Sequence, residues 1–168
     1  MKKIYIVTAV VLLMSVVIAR SQSMDQTYTT ALGIKVWGDG AGVSLKHFIS
    51  SNRALEGIGF FWNGGARITG LYEFHFDIAG APGLKWYVGP GVHVGFYNDG
   101  YNRYNNYNNN NNNYRGGSFV GIDGVLGLDY KFNRAPINLS LDWQPSIEFG
   151  SGRTFNGAWG GLGIRYTF

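Results

Sequence analysis

Between residues 137 and 149 the chain reads Ile-Asn-Leu-Ser-Leu-Asp-Trp-Gln-Pro-Ser-Ile-Glu-Phe. Ile137, Leu139, Leu141, Trp143, Pro145, Ile147 and Phe149 fall on one parity, and Asn138, Ser140, Asp142, Gln144, Ser146 and Glu148 on the other. Strict period two over this length places two opposite chemistries on the two faces of one extended strand; a helix would scatter both sets around its axis. Such a strand belongs to a sheet with one apolar side and one polar side.

The alternation recurs upstream. From Val120 to Phe132, Val120, Ile122, Leu126, Leu128, Tyr130 and Phe132 oppose Gly121, Asp123, Gly127, Asp129 and Lys131. From Leu84 to Phe96, Leu84, Trp86, Val88, Pro90, Val92, Val94 and Phe96 oppose Lys85, Tyr87, Gly89, Gly91, His93 and Gly95. Between Arg67 and Asp77, Ile68, Tyr72, Phe74 and Phe76 oppose Arg67, Thr69, Glu73, His75 and Asp77. The last segment sets Leu162, Ile164, Tyr166 and Phe168 against Gly161, Gly163, Arg165 and Thr167. Two weaker segments, Thr29–Trp37 and Val43–Ser50, put Leu32, Ile34, Val36, Val43, Leu45 and Ile49 on one face and Lys35, Ser44 and Lys46 on the other. Residues 54–62 are strand-like, with a facing that the pattern leaves open. The strands then number eight.

Clusters of Gly, Asn, Asp, Ser and Pro separate them, at 38–41, 51–53, 63–65, 79–83, 98–117, 133–136 and 151–158. These residue types supply turn dihedrals. No segment reads as a crossover helix, so the expected sheet is an antiparallel meander.

Such a meander closes either as a soluble barrel with its apolar face inside or as a membrane barrel with that face outside. Strands of about 9–13 residues match the ~9–11 needed to cross a bilayer at a tilt. On the apolar face, Tyr72, Phe74, Phe76, Trp86, Tyr130, Phe132, Tyr166 and Phe168 gather at one end, and Phe96 and Phe149 at the other. Aromatic belts at the two interfaces have this distribution. The polar face offers Lys35, Lys46, Arg67, Lys85, Lys131 and Arg165 to Glu73, Asp77, Asp123, Asp129, Asp142 and Glu148. A narrow lumen pairs such charges with one another. The expected fold is an all-β, transmembrane, antiparallel, eight-stranded up-and-down β-barrel occupying residues 22–168.

The start of the chain agrees. Lys2 and Lys3 precede an apolar run from Ile4 to Ala19, and Ala19-Arg20-Ser21 presents small residues at two cleavage positions. Residues 1–21 thus read as a secretory signal. Its removal takes Lys2, Lys3 and Arg20 from the 14 basic residues and none of the 10 acidic ones, leaving 11 against 10. A net charge of +1 gives no reason to expect a nucleic-acid partner. With no cysteine, the chain has neither a disulfide framework nor a site for lipidation.

Closing such a barrel with both termini at one rim places the long connections 98–117 and 151–158 together at the other, as in outer-membrane barrels of Gram-negative bacteria. Gly163, Tyr166 and Phe168 form the Gly-x-x-aromatic-x-aromatic pattern of strands handled by the outer-membrane assembly machinery, although Gly161 stands where a polar residue is usual. On the segments GLYEFHF, LKWYVGPGVHVGFY, GIDGVLGLDYKF, APINLSLDWQPSIEF and GLGIRYTF, the chain resembles the small OmpX-like and OmpA-transmembrane-type barrels, most of all the short outer-membrane barrels frequent in Bacteroidetes. The resemblance implies fold, location, surrounding outer-membrane lipid and assembly through the last strand. It carries no catalytic residue.

The candidate interior network is Lys35, Arg67, Glu73, His75, Lys85, His93, Asp123, Asp129, Asp142, Glu148 and Arg165. It is either a proton or ion path or a set of mutual pairs filling the lumen. Eight strands enclose room for side chains only, which favours the second reading. His75 and His93 face the lumen by parity, His47 faces outward, and all three read as structural. No metal set, nucleotide loop, cofactor motif or Ser–His–acid spacing emerges from the sequence. Residues 98–117, with their run of asparagines, are either a ligand-contacting surface loop or a low-complexity insertion tolerated at a tip; the second is preferred. The functional expectation is a non-enzymatic structural or surface-interaction barrel with no known ligand. A lipid-modifying enzyme, a narrow channel and an accessory subunit of an envelope complex stand as alternatives.

Overall fold

A computed structural model describes residues 28–98, 117–149 and 154–168. The expected signal, residues 1–21, and nearly all of the long loop lie outside them. The described chain forms ten strand segments: β1 (Thr30–Trp37), β2 (Gly40–Ser50), β3 (Arg53–Trp62), β4 (Gly65–Asp77), β5 (Leu84–Tyr97), β6 (Ser118–Lys131), β7 (Ile137–Trp143), β8 (Ser146–Phe149), β9 (Thr154–Asn156) and β10 (Gly160–Thr167). Consecutive strands from β1 to β6 pair antiparallel. β7 and β8 both pair with β6, while β9 adds to β8 and β10 to β7. β10 returns to β1 and closes the barrel. Thr30 and Phe168 exchange two backbone hydrogen bonds, of 3.0 and 2.9 Å, at that seam.

The ten segments make eight staves. β7 and β8 face β6 in one unbroken register, Leu126 opposite Trp143 and Asp123 opposite Ser146. Pro145 interrupts only the ladder. It has no amide hydrogen to donate, and its carbonyl accepts from Gly124 N at 2.8 Å. On the last stave, Gly160 faces Trp143 and Asn156 faces Ser146. Four steps on one strand therefore meet three on its neighbour, which is a β-bulge. The outward indoles of Trp143 and Trp37 donate to the bulge carbonyls of Gly157 and Ala158, at 2.7 and 2.6 Å. The connection expected at 151–158 thus contains a short strand, β9, which its Thr and Asn content hid.

Side-chain direction follows parity. Leu32, Ile34, Val43, Leu45, Ile68, Val92, Ile122, Leu141 and Ile164 all point outward and are exposed. Lys35, Lys46, Arg67, Glu73, Asp129 and Arg165 point inward and are buried. A polar inside and an apolar outside invert the soluble barrel. The open question at 54–62 resolves: Ala54, Glu56, Ile58 and Phe60 are buried inside, whereas Leu55 and Phe61 are exposed outside. One rim carries both ends of the described chain, the Ser51–Asn52 turn and the starts of β5 and β7. The other carries the turn at Gly38, whose φ of 59° lies in the left-handed region glycine favours, and the edges of the long loop.

Candidate functional site

The lumen is the candidate site, and it is built in two polar clusters with an apolar layer between them. The first cluster centres on Glu56 of β3. Arg165 from β10 donates through Nη2 to Glu56 Oε1 (2.5 Å), through Nε to Ser44 Oγ (2.7 Å) and through Nη1 to Ser140 Oγ (2.8 Å) and Asn138 Oδ1 (3.1 Å). Lys35 Nζ lies 2.6 Å from Asp142 Oδ2 and 3.4 Å from Glu56 Oε1. Lys46 Nζ lies 2.8 Å from Glu73, 3.3 Å from Glu56 and 3.4 Å from Asp129, and 4.2 Å from the Tyr87 ring centroid. Asn138 Nδ2 donates to Asp129 Oδ1 at 2.6 Å, Tyr87 Oη to Asp142 Oδ2 at 2.7 Å, and His75 Nε2 is 2.8 Å from Glu73 Oε2. All seven charged side chains here are buried: three cations, Lys35, Lys46 and Arg165, against four acids, Glu56, Glu73, Asp129 and Asp142.

Ile58, Phe60, Leu71, Tyr87 and Val125 pack as the apolar layer, with Trp62 and Trp159 against it. Beyond it, towards the long-loop rim, Arg67 pairs with Asp123, and His93 Nδ1 lies 2.8 Å from Asp123 Oδ2. Arg67 Nε also donates to Thr69 Oγ1 at 3.0 Å, and its guanidinium lies 4.8 Å from the Trp159 ring centroid. Tyr97 Oη donates to Glu148 at 3.2 Å. Glycine makes room for these long side chains. A Cβ on Gly161 would stand 2.2 Å from Lys35 Cε, and one on Gly127 would stand 2.5 Å from the Tyr87 ring.

Ten of the eleven candidates from the sequence are buried inside the barrel: Lys35, Arg67, Glu73, His75, His93, Asp123, Asp129, Asp142, Glu148 and Arg165. They divide between the two clusters. Lys85 departs from the expectation. It stands at the rim 3.2 Å from Asp77, whose side chain is 86% exposed, because β5 begins there. Lys131 likewise meets backbone carbonyls of Phe132 and Ala135, not an interior acid. Sequence reasoning missed Glu56, the hub of the first cluster. An ionised side chain in the middle of a lipid-facing stave is costly, so this one acid fixes the facing of all of β3.

Gly163 faces inward against Ser140 and Arg165, while Tyr166 and Phe168 point outward, exposed. His47 is also outward, with Nδ1 2.8 Å from Thr30 Oγ1. This hydroxyl–imidazole pair supplies two parts of a hydrolytic triad. Among the described residues no acid pairs with His47. Nor do three or more His, Asp or Glu residues converge as a metal site among the described residues.

The architecture defines a closed, eight-stranded, all-antiparallel barrel with an apolar exterior and a polar, filled interior. It is similar to the N-terminal β-barrel domain of Pseudomonas aeruginosa OprF, at a TM-score of 0.55 and 19% identity, over 83% of this chain and 94% of that one. At that identity the likeness is one of fold. No family model matches the chain, and no curated protein does.

Proposed function

We propose that the chain is an integral outer-membrane barrel of a Gram-negative bacterium, of the small OmpX-like and OmpA-transmembrane type. Its role is non-enzymatic, either structural or in surface contacts made by the segments around 98–117 and 151–158. The observation that carries this reading is the filled interior. A network centred on Glu56 and an apolar layer of Ile58, Phe60, Leu71, Tyr87 and Val125 succeed each other along the lumen. A barrel packed in this way is a rigid peg in the bilayer, with contacts to the outside left to its loops. The exterior supports lipid as its surroundings, since the outward Leu, Ile and Val side chains form a continuous apolar belt with aromatics at both rims. The outward Tyr166 and Phe168 support delivery by the outer-membrane assembly machinery through the last strand.

The test joins two measurements on one preparation. The envelope is fractionated and the protein run on a detergent gel with and without boiling, and the folded protein is placed in a planar bilayer. An outer-membrane protein with a heat-dependent mobility shift and no steady conductance is expected. A periplasmic protein without a shift refutes the membrane reading, and a stable single-channel current refutes the filled lumen.

A further inference from the structure

The rim that holds the ends of the described chain contains a cleft of about 310 Å³, lined in part by Tyr28, Phe48, Ile49, Ser50, Lys85 and Lys131. Asp129 lies at its floor, but that carboxylate is already engaged by Asn138, Lys46 and Tyr28. The two lysines are differently placed. Lys131 Nζ donates to Phe132 O at 2.7 Å and to Ala135 O at 2.8 Å. An ammonium has three N–H donors, so among the described residues one remains, and both partners there are neutral carbonyls that do not compensate its charge. Among the described residues Lys85 pairs only with the exposed Asp77, a surface pair worth little and readily exchanged. Lys85 faces Asp129 across β5 and β6, which makes Lys131 its diagonal neighbour on the same face, at about 7–8 Å between Cα positions. An oxyanion between two such cations relieves their repulsion.

The opposite wall is apolar. Phe48 packs edge-on to Tyr28 at 5.0 Å, and Ile49 lines the cleft while remaining half exposed on the outer face. A cationic mouth thus runs directly into the apolar belt. The volume is at the small end of ligand sites, enough for a polar headgroup but not for an acyl chain as well.

We propose that this cleft binds a phosphate oxyanion, with the phosphodiester headgroup of an anionic phospholipid as its ligand and the acyl chains lying outside along Ile49. The same phosphate chemistry occurs in soluble glycerol phosphate, so the test separates the two sources. The folded full-length barrel in maltoside micelles is titrated with phosphatidylglycerol or with the phosphate-free diacylglycerol of the same chains, and retained lipid is read by native mass spectrometry. Wild type is expected to prefer phosphatidylglycerol by about tenfold, the worth of one charge-assisted hydrogen bond. Lys85→Gln with Lys131→Gln abolishes the preference, and Lys85→Arg with Lys131→Arg keeps it. Glycerol 3-phosphate is added as competitor: displacement at millimolar concentration assigns the site to soluble phosphates, and no displacement assigns it to lipid. Equal retention of the two lipids by wild type, without glycerol phosphate binding, overturns the proposal. So does undiminished preference in the double glutamine variant. Each variant is checked for the heat-dependent gel shift, and the single variants serve if the double one does not fold. The glycerol phosphate arm reports on the cleft even if the barrel is not membrane-embedded.

Discussion

Replacing Arg165 by Met deletes four hydrogen bonds, to Ser44, Asn138, Ser140 and Glu56. It also changes the charge ratio of the Glu56 cluster. Three buried cations face four buried acids. Without Arg165 the ratio is two to four. Lys35 and Lys46, 3.4 and 3.3 Å from Glu56, are already shared with Asp142, Glu73 and Asp129. Breaking a buried pair in this way costs about 3–5 kcal/mol, since a charge is left without compensation. Glu56→Gln removes an acid and moves the ratio to three and three, while its amide oxygen still accepts from Arg165. Its cost is nearer the ~1–3 kcal/mol of a perturbed buried hydrogen bond. Met for Arg is therefore expected to destabilise more than Gln for Glu. The double variant should fall short of the sum by about 0.5–3 kcal/mol, because the two residues share one bond. Urea titration of the barrel folded into lipid vesicles, followed by tryptophan fluorescence and by gel shift, measures all three variants. Equal losses below about 1 kcal/mol would mean that water enters and hydrates the orphaned acids, and the filled lumen would then be wrong. A larger loss for Glu56→Gln than for Arg165→Met would refute the charge count.

Further predictions concern the two faces of the wall. Ile34→Arg, on the exposed outer face, should cost ~2–4 kcal/mol in lipid vesicles by the same urea titration; a neutral result would argue for water outside. Gly127→Ala should destabilise by about 1–3 kcal/mol, because the new methyl meets the Tyr87 ring and Asp142 Cβ at 2.5 and 2.7 Å. Gly70→Ala, outward with nothing within 4 Å, should be neutral or stabilising by up to ~1 kcal/mol. Tyr166→Ala with Phe168→Ala should slow appearance of the heat-shifted species in cells while leaving the isolated barrel foldable in detergent; normal assembly kinetics would remove the role assigned to the last strand.

How far the sequence could be read depended on whether the two faces of a strand differed chemically. Residues 137–149 separate without remainder, and so their inward Asp142 and outward Trp143 were legible despite the Pro145 gap in the ladder. Pairing partners inside the lumen were not legible. Arg165 meets Ser44 and Glu56 from strands more than a hundred residues away, and only closure of β10 on β1 brings them together. Lys85 and Lys131 have the parity of interior residues but sit where strands end, and parity carries no information about depth.

β3 shows the deeper reason for failure. Its inner face carries Ile58 and Phe60, and its outer face Gly57 and Gly59, so the apolar and small residues fall on the parities opposite to those in β7. The inversion is local because the lumen there needs an apolar layer between two charged clusters. Dispersion fills that cross-section without requiring a further charge partner. A pattern of hydrophobicity alone then points the wrong way, whereas a single ionisable residue does not. Glu56 has no stable position in hydrocarbon, and its parity orients every other residue of the strand. In a barrel with a filled lumen, mid-strand charges are thus a stronger guide to facing than hydrophobic residues, because apolar side chains are at home on both sides of the wall and charges on only one.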